Sequence, residues 1–173
     1  EIRSERLSTI NGLADNSIRH IYQDKKGFLW MATLNGLSRY DGTSFVNYYP
    51  QENEQITLAD HRIKSLIEDK NGFLWITTYS DIFNCYDFKK DRFVDFSGQG
   101  MHTAHYRNIS LIEDDVWLWG KTEGCLRVSY CDETFSSESY SLSNKTIESN
   151  HIHSVVEGYE GKVYIATDKG LYG

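Results

Sequence analysis

One proline, three cysteines and no long apolar run set the first limits on this 173-residue sequence. With a single proline, charged residues at 25% and aromatics at 14%, the composition is that of a folded, sheet-forming chain and not of a disordered or proline-rich linker. Cys85, Cys125 and Cys131 are too few and too irregularly spaced for a disulfide framework or a CxxC zinc site. If Cys125 and Cys131 share one strand they stand roughly 20 Å apart, beyond disulfide reach, so free and mostly buried thiols are expected. No apolar stretch reaches the roughly 20 residues of a membrane-spanning helix, and the opening EIRSERL lacks a signal-peptide core. Basic residues are outnumbered, 18 Lys and Arg against 25 Asp and Glu, and the net charge of -7 argues against a nucleic-acid partner for this segment. The first residue is Glu and not Met, so a trimmed or excised piece of a longer protein is expected.

Short catalytic signatures are missing as well. There is no glycine-rich phosphate loop, no GxSxG elbow, no HExxH and no EF-hand spacing. His102 with His105 and His151 with His153 have ligand-like spacing but no identifiable further ligands, so no metal and no cofactor are expected. No carboxylate pair stands out for glycoside cleavage. The sequons at Asn108 and Asn144 are read as incidental.

What is present is a repeat. DKKGFLWMAT at residues 24 to 33 returns as DKNGFLWITT at 69 to 78, and the match continues outward through Ile18, Ile21 and Leu37 against Ile63, Leu66 and Ile82. A third copy reads SLIEDDVWLWG from Ser110, aligning Ser110 to Asp114 with Ser65 to Asp69 and Trp117 with Trp75. A fourth runs from Ser154 to Leu171, with Gly161 at the turn glycine and Tyr164 at the aromatic position. The first unit parses into strands over residues 18–23, 28–33, 37–40 and 45–48, and Gly27, Gly72 and Gly161 sit where a tight hairpin needs positive φ. Four short strands per unit of about 45 residues predict an all-β fold of propeller blades, each burying its faces against its neighbours. Trp30, Trp75, Trp117 and Tyr164 are then wedges of the blade core. Blades are expected at about 18–48, 63–96, 108–140 and from about 152, the last incomplete, with residues 1–10 as the outer strand of a preceding or closing blade.

Asn11 to Tyr48 resembles the two-component regulator propeller repeat: a hydrophobic pair, Asp, Gly, Leu-Trp, Thr, Gly-Leu, then Tyr-Asp. The chain departs from it at Asp81-Ile82 in place of Gly-Leu, in the shortened turn of the third copy and at Gly158 in place of the turn aspartate. The resemblance is to the sensor region of hybrid two-component systems, large polypeptides of carbohydrate-degrading gut bacteria. It implies a periplasmic propeller that detects oligosaccharide and passes a dimer rearrangement through a membrane helix of the parent protein to a histidine kinase and response regulator. It also implies a seven-bladed ring of which this chain holds about three and a half blades, homodimeric self-association, and no enzyme activity in this segment. A protein-interaction scaffold without its own ligand and a propeller glycosidase or lyase are the alternatives.

Ligands of propellers meet the rim formed by loops between blades and between the second and third strands. Sugars favour aromatic faces beside planar polar groups, so Tyr79, Tyr106, Arg107 and Trp119, with Lys121, His61 and Arg62, are the candidate ligand contacts.

Overall fold

The computed structural model describes residues 4–173 and shows an all-β chain of four successive antiparallel sheets. The first comprises β1 (Ile18–Gln23), β2 (Leu29–Thr33), β3 (Gly36–Tyr40) and β4 (Phe45–Tyr48). The second comprises β5 (Ile63–Glu68), β6 (Phe73–Thr78), β7 (Phe83–Asp87) and β8 (Arg92–Phe93). The third comprises β9 (Asn108–Ile112), β10 (Asp115–Trp119), β11 (Cys125–Cys131) and β12 (Thr134–Tyr140), and the fourth β13 (Ile152–Glu157), β14 (Val163–Thr167) and β15 (Gly170–Tyr172). Strands consecutive in sequence are neighbours in space within every sheet, and the sheets pack face to face as propeller blades.

One turn motif explains the repeat. Asp24 Oδ1 accepts the backbone N–H groups of Lys26 (2.9 Å) and Phe28 (3.0 Å), while its Oδ2 accepts the indole Nε1–H of Trp30 (2.8 Å). Asp69 does the same for Asn71 (2.9 Å), Phe73 (3.0 Å) and Trp75 Nε1 (3.0 Å). Gly27 and Gly72 close these turns at φ 89° and 88°, in the left-handed region that glycine enters at no steric cost. A single carboxylate thus shapes the hairpin and aims the wedge.

The wedges fill the layers between sheets. Trp30 lies between the first and second sheets with Leu58, Ile63, Leu66 and Tyr86; Trp75 lies between the second and third with Phe83, Phe96 and Leu118; Trp117 lies between the third and fourth with Ile147, Ile152 and Ile165. Each indole stacks on an aromatic at or just beyond the fourth strand of its sheet: Tyr48 at 5.7 Å, Phe96 at 6.0 Å and Tyr140 at 5.4 Å between ring centroids. Arg39 and Arg127, opposite Trp30 and Trp117 in the ladders, lay their guanidinium groups over those rings.

Four sequence expectations are corrected. The outer strand over residues 1–10 does not form across residues 4–10: residues 4–8 are irregular and Thr9–Asn11 is a 3-10 turn. Asn11 Oδ1 accepts from the Ser8 backbone N–H at 3.0 Å, a local bond that competes with strand pairing; residues 1–3 lie outside the description. In the third sheet the sequence alignment is displaced by two. Trp75 opposes Ile67 whereas Trp117 opposes Ser110, so Asn108 takes the place of Ser65 and buried Ile112 that of Asp69. The turn there is Glu113-Asp114, with Glu113 at φ 52°, and the carboxylate clamp gives way to apolar packing of Ile112 on Trp117. Gly158 is not a defect: its Cα lies against the ring of Tyr164, where any Cβ would collide, so the Asp–Trp pair is replaced by Gly–Tyr. Tyr164 itself is half-buried, in contrast to the three tryptophans, because no further sheet covers its outer face among the described residues.

Cys125 and Cys131 stand at opposite ends of β11 and Cys85 is fully buried in β7. Burial pushes the Cys125 thiol up to about 12 and that of Cys85 up as well, whereas Cys131 is exposed. A thiol reagent should therefore titrate one cysteine in the native protein and three after denaturation. Replacing Asp69 by Ala removes three hydrogen bonds to one charged acceptor and should cost about 3 kcal/mol in urea unfolding, with Asp69→Asn losing less.

Candidate functional site

Because each sheet is a meander, the turns between second and third strands and the segments entering the next sheet share one rim. Backbone bonds stitch these together: Gly36 N–H to His61 O (2.7 Å), Tyr106 N–H to Asp81 O (2.9 Å) and Gly124 N–H to Asn150 O (3.1 Å). The rim is therefore tied across every blade junction.

Between the second and third sheets this rim gathers Tyr79, Asp81, Arg107, Lys64 and Asn108. The Arg107 guanidinium lies over the half-buried Tyr79 ring, 5.4 Å from its centroid, and its Nε is 3.5 Å from Asp81 Oδ1. That ion pair is long, and Oδ1, although buried, receives no hydrogen bond among the described residues. Lys64 Nζ donates to Asn108 Oδ1 (2.6 Å) and Arg107 O (3.2 Å). Burial pushes the Lys64 ammonium down, the Arg107 charge adds to this, and Asp81 partly opposes it.

The backbone at Asp81 is left-handed, as it is at His105 on the same rim. Thr33 opposes Gly36 in the first sheet whereas Thr78 bonds Ile82 in the second, so this turn is one residue longer and Asp81 is the inserted residue, at φ 61°. A side chain in the left-handed region costs about 1 kcal/mol, and such strain gathers at functional sites. The sequence departure from Gly-Leu to Asp81-Ile82 thus marks the place where the rim acquires a carboxylate.

The structure brings Tyr79 and Arg107 together. Arg62 lies beside them through backbone, its O accepting the Tyr79 N–H at 3.0 Å while its side chain is occupied by Asp60 at 3.2 Å; His61 instead meets Gly36 and the Tyr49 ring. Burial pushes the Asp60 carboxyl up, but hydrogen bonds and charge from Arg62 outweigh this and hold it low. Lys121 is exposed on the corresponding turn of the third sheet, apart from the cluster.

Two aromatic candidates are packing residues. Tyr106 is 6% exposed, its ring against Phe83 in the layer between the second and third sheets, and burial pushes its hydroxyl up to about 12. Trp119 is 8% exposed, among Ile147, Ile152 and Ile165, with an indole Nε1 that has no partner among the described residues. Its ring fills the third layer at a position that is Ala32 in the first. Lys64 and Asn108 were the contributors missed; the available signal was Ile-Lys-Ser-Leu at 63–66 repeating Ile-Arg-His-Ile at 18–21.

A cavity of about 530 Å³ lined by Trp117, Arg127 and Tyr140 opens between the third and fourth sheets. The same place between the first and second sheets is filled by Tyr86, Phe88 and Phe93, so it is part of the packing layer.

The family model of the two component regulator propeller matches residues 12–35 and 57–80. In fold it is similar to the extracellular domain of BT3049 of B. thetaiotaomicron, described as a hybrid two-component system, with a TM-score of 0.75 and 24% identity over 97% of this chain and 26% of that one. It is likewise similar to the extracellular domain of BT4673 of the same organism, described as a one-component system, with a TM-score of 0.65 and 22% identity over 93% and 24% of the two chains. PorZ of Porphyromonas gingivalis, a surface component of the type-IX secretion system, gives a TM-score of 0.57 at 21% identity over 90% and 24%. The chain spans about a quarter of the length of these structures, and no curated protein matches it.

Trp119→Ala should destabilise the fold by about 3 to 5 kcal/mol, as loss of a buried indole does. Trp119→Phe, which removes the unpartnered Nε1–H, should cost far less; thermal unfolding distinguishes the two.

Proposed function

We propose that this chain is part of the extracytoplasmic, ligand-sensing propeller of a hybrid two-component system, and that its rim reads an oligosaccharide without transforming it. The observation that carries the reading is the rim cluster in which the Asp81 carboxylate, 40% exposed, and the guanidinium of Arg107 flank the half-buried face of Tyr79. A pyranose presents hydroxyl donors around its edge and C–H groups on its face. A hydroxyl donates to the open side of the Asp81 carboxylate, a charged acceptor that makes the bond stronger than one between neutral groups, while the ring packs on the tyrosine.

The two-component regulator repeats and the likeness to extracellular domains support the placement outside the cytoplasm. In this reading the site spans two blades, so ligand tightens the junction between the second and third sheets. The parent polypeptide transmits that change, as a rearrangement between paired copies, to a phosphorelay that controls glycan-utilisation genes.

Asp81 supplies the test, because a sensing residue held in strained backbone trades stability for function. Asp81→Gly should raise the unfolding free energy by about 1 kcal/mol by relieving the left-handed conformation. It should also abolish or strongly weaken oligosaccharide binding, measured by calorimetry with the full extracytoplasmic region against a panel of neutral and charged tetrasaccharides. Unchanged binding in this variant would overturn the assignment of the site.

A further inference from the structure

The innermost strand of each sheet opens on the same four-residue arrangement of apolar, basic, polar and apolar. It reads Ile18-Arg19-His20-Ile21 in β1, Ile63-Lys64-Ser65-Leu66 in β5, Tyr106-Arg107-Asn108-Ile109 leading into β9, and Ile152-His153-Ser154-Val155 in β13. The ladders show that these positions are equivalent. His20, Ser65, Asn108 and Ser154 oppose Ala32, Thr77, Trp119 and Ala166, each two residues beyond the wedge aromatic. The basic residue immediately precedes that pair every time.

In β1, β5 and β13 the basic residue is the extra residue of a bulge, left without a ladder partner, and Arg107 stands just before β9 at the corresponding point. Bulges re-aim a side chain. Lys64 shows the direction taken, since its Nζ reaches Asn108 and the Arg107 carbonyl on the inner strand of the next sheet. The inner strands follow one another in order: Leu66 N–H donates to His20 Nδ1 at 2.8 Å, and β9 lies against β13. Arg19, Lys64, Arg107 and His153 therefore form an arc of basic positions along the inner rim, one per sheet.

This concentration of positive charge occurs in a chain whose net charge is -7. Arg19 and His153 are exposed, and Asp81 is the carboxylate paired with Arg107. Lys64 uses two of its three protons, and the terminal NH₂ groups of Arg107 have no partner among the described residues. Lys64 and Arg107 stand close enough for their like charges to repel, and an anion that joins them relieves this.

We propose that this arc binds the acidic groups, carboxylate or sulfate, of an anionic oligosaccharide whose sugar ring lies on Tyr79; the proposal rests on the oligosaccharide reading above. Arg107 offers the planar fork that takes either oxyanion bidentately, and Lys64, Arg19 and His153 extend the track for further acidic units.

Calorimetry with the full extracytoplasmic region, at low and high salt, tests this with tetragalacturonate, a sulfated chondroitin tetrasaccharide and neutral cellotetraose. A charged probe is expected to bind at least tenfold more tightly than the neutral one and to weaken with salt, and whichever charged probe binds identifies carboxylate or sulfate. Arg107→Gln should lower that affinity about tenfold or more while Arg107→Lys retains part of it. Arg19→Gln, an exposed change that cannot disturb packing, should lower it severalfold. Neutral and charged probes of equal affinity, or Arg19→Gln and Arg107→Gln without effect on the charged probe, would overturn the arc and leave oligosaccharide sensing standing. No binding by any probe to a protein that still unfolds cooperatively would overturn both.

Discussion

The first two sheets, from which the rest of the fold is built outward, depend on one carboxylate reaching two kinds of donor. Asp24 and Asp69 take backbone N–H groups of their own hairpin and the indole N–H of the wedge six residues on. A sheet of four short strands cannot bury both faces alone, so its stability depends on the shape it offers its neighbour. The aspartate determines that shape by fixing the rotation of a tryptophan, and the stacked aromatic of the fourth strand holds the ring from the other side. Where the partner of the carboxylate changes, the turn changes with it. Tyr164 has no indole N–H to satisfy and lies over a glycine, while Trp117 leans on Ile112 at a two-residue turn.

This coupling explains what could be read from the amino-acid sequence. Turn, wedge and glycine are tied at fixed spacing, so DKKGFLW and DKNGFLW announce both the element order and the blade core. The third sheet misled because letter similarity in SLIEDD competed with turn length: two hairpins of different length can carry the same letters in different registers, and only the ladder decides between them. Tyr106 and Trp119 looked like sugar platforms because aromatic character is visible in a sequence and direction is not. One points into the layer behind the rim and the other into the layer ahead of it. Lys64 was overlooked for the opposite reason. A lone lysine carries no motif, and its hydrogen-bond partners lie 43 and 44 residues away, brought near only by the closing of one sheet on the next.

The rim combines rigidity with a small store of strain. Its backbone is bonded across each blade junction, so side chains on it are held at positions that solvent fluctuations do not blur. Asp81 and His105 hold left-handed backbone on it, at φ 61° and 75°, and Asp81 stands in a long ion pair with Arg107. A ligand that engages this pair acts at a junction between two sheets, where a change in packing is felt by both.

The bulge that opens the inner strands separates two demands that usually conflict. A residue within a ladder is constrained by its cross-strand partner and by the layer it faces, so altering it disturbs the sheet. The bulged residue has neither obligation. Each blade thus carries one position that can drift among arginine, lysine and histidine while its neighbours keep the fold, and a family of such chains could change what it recognises without renegotiating how it folds.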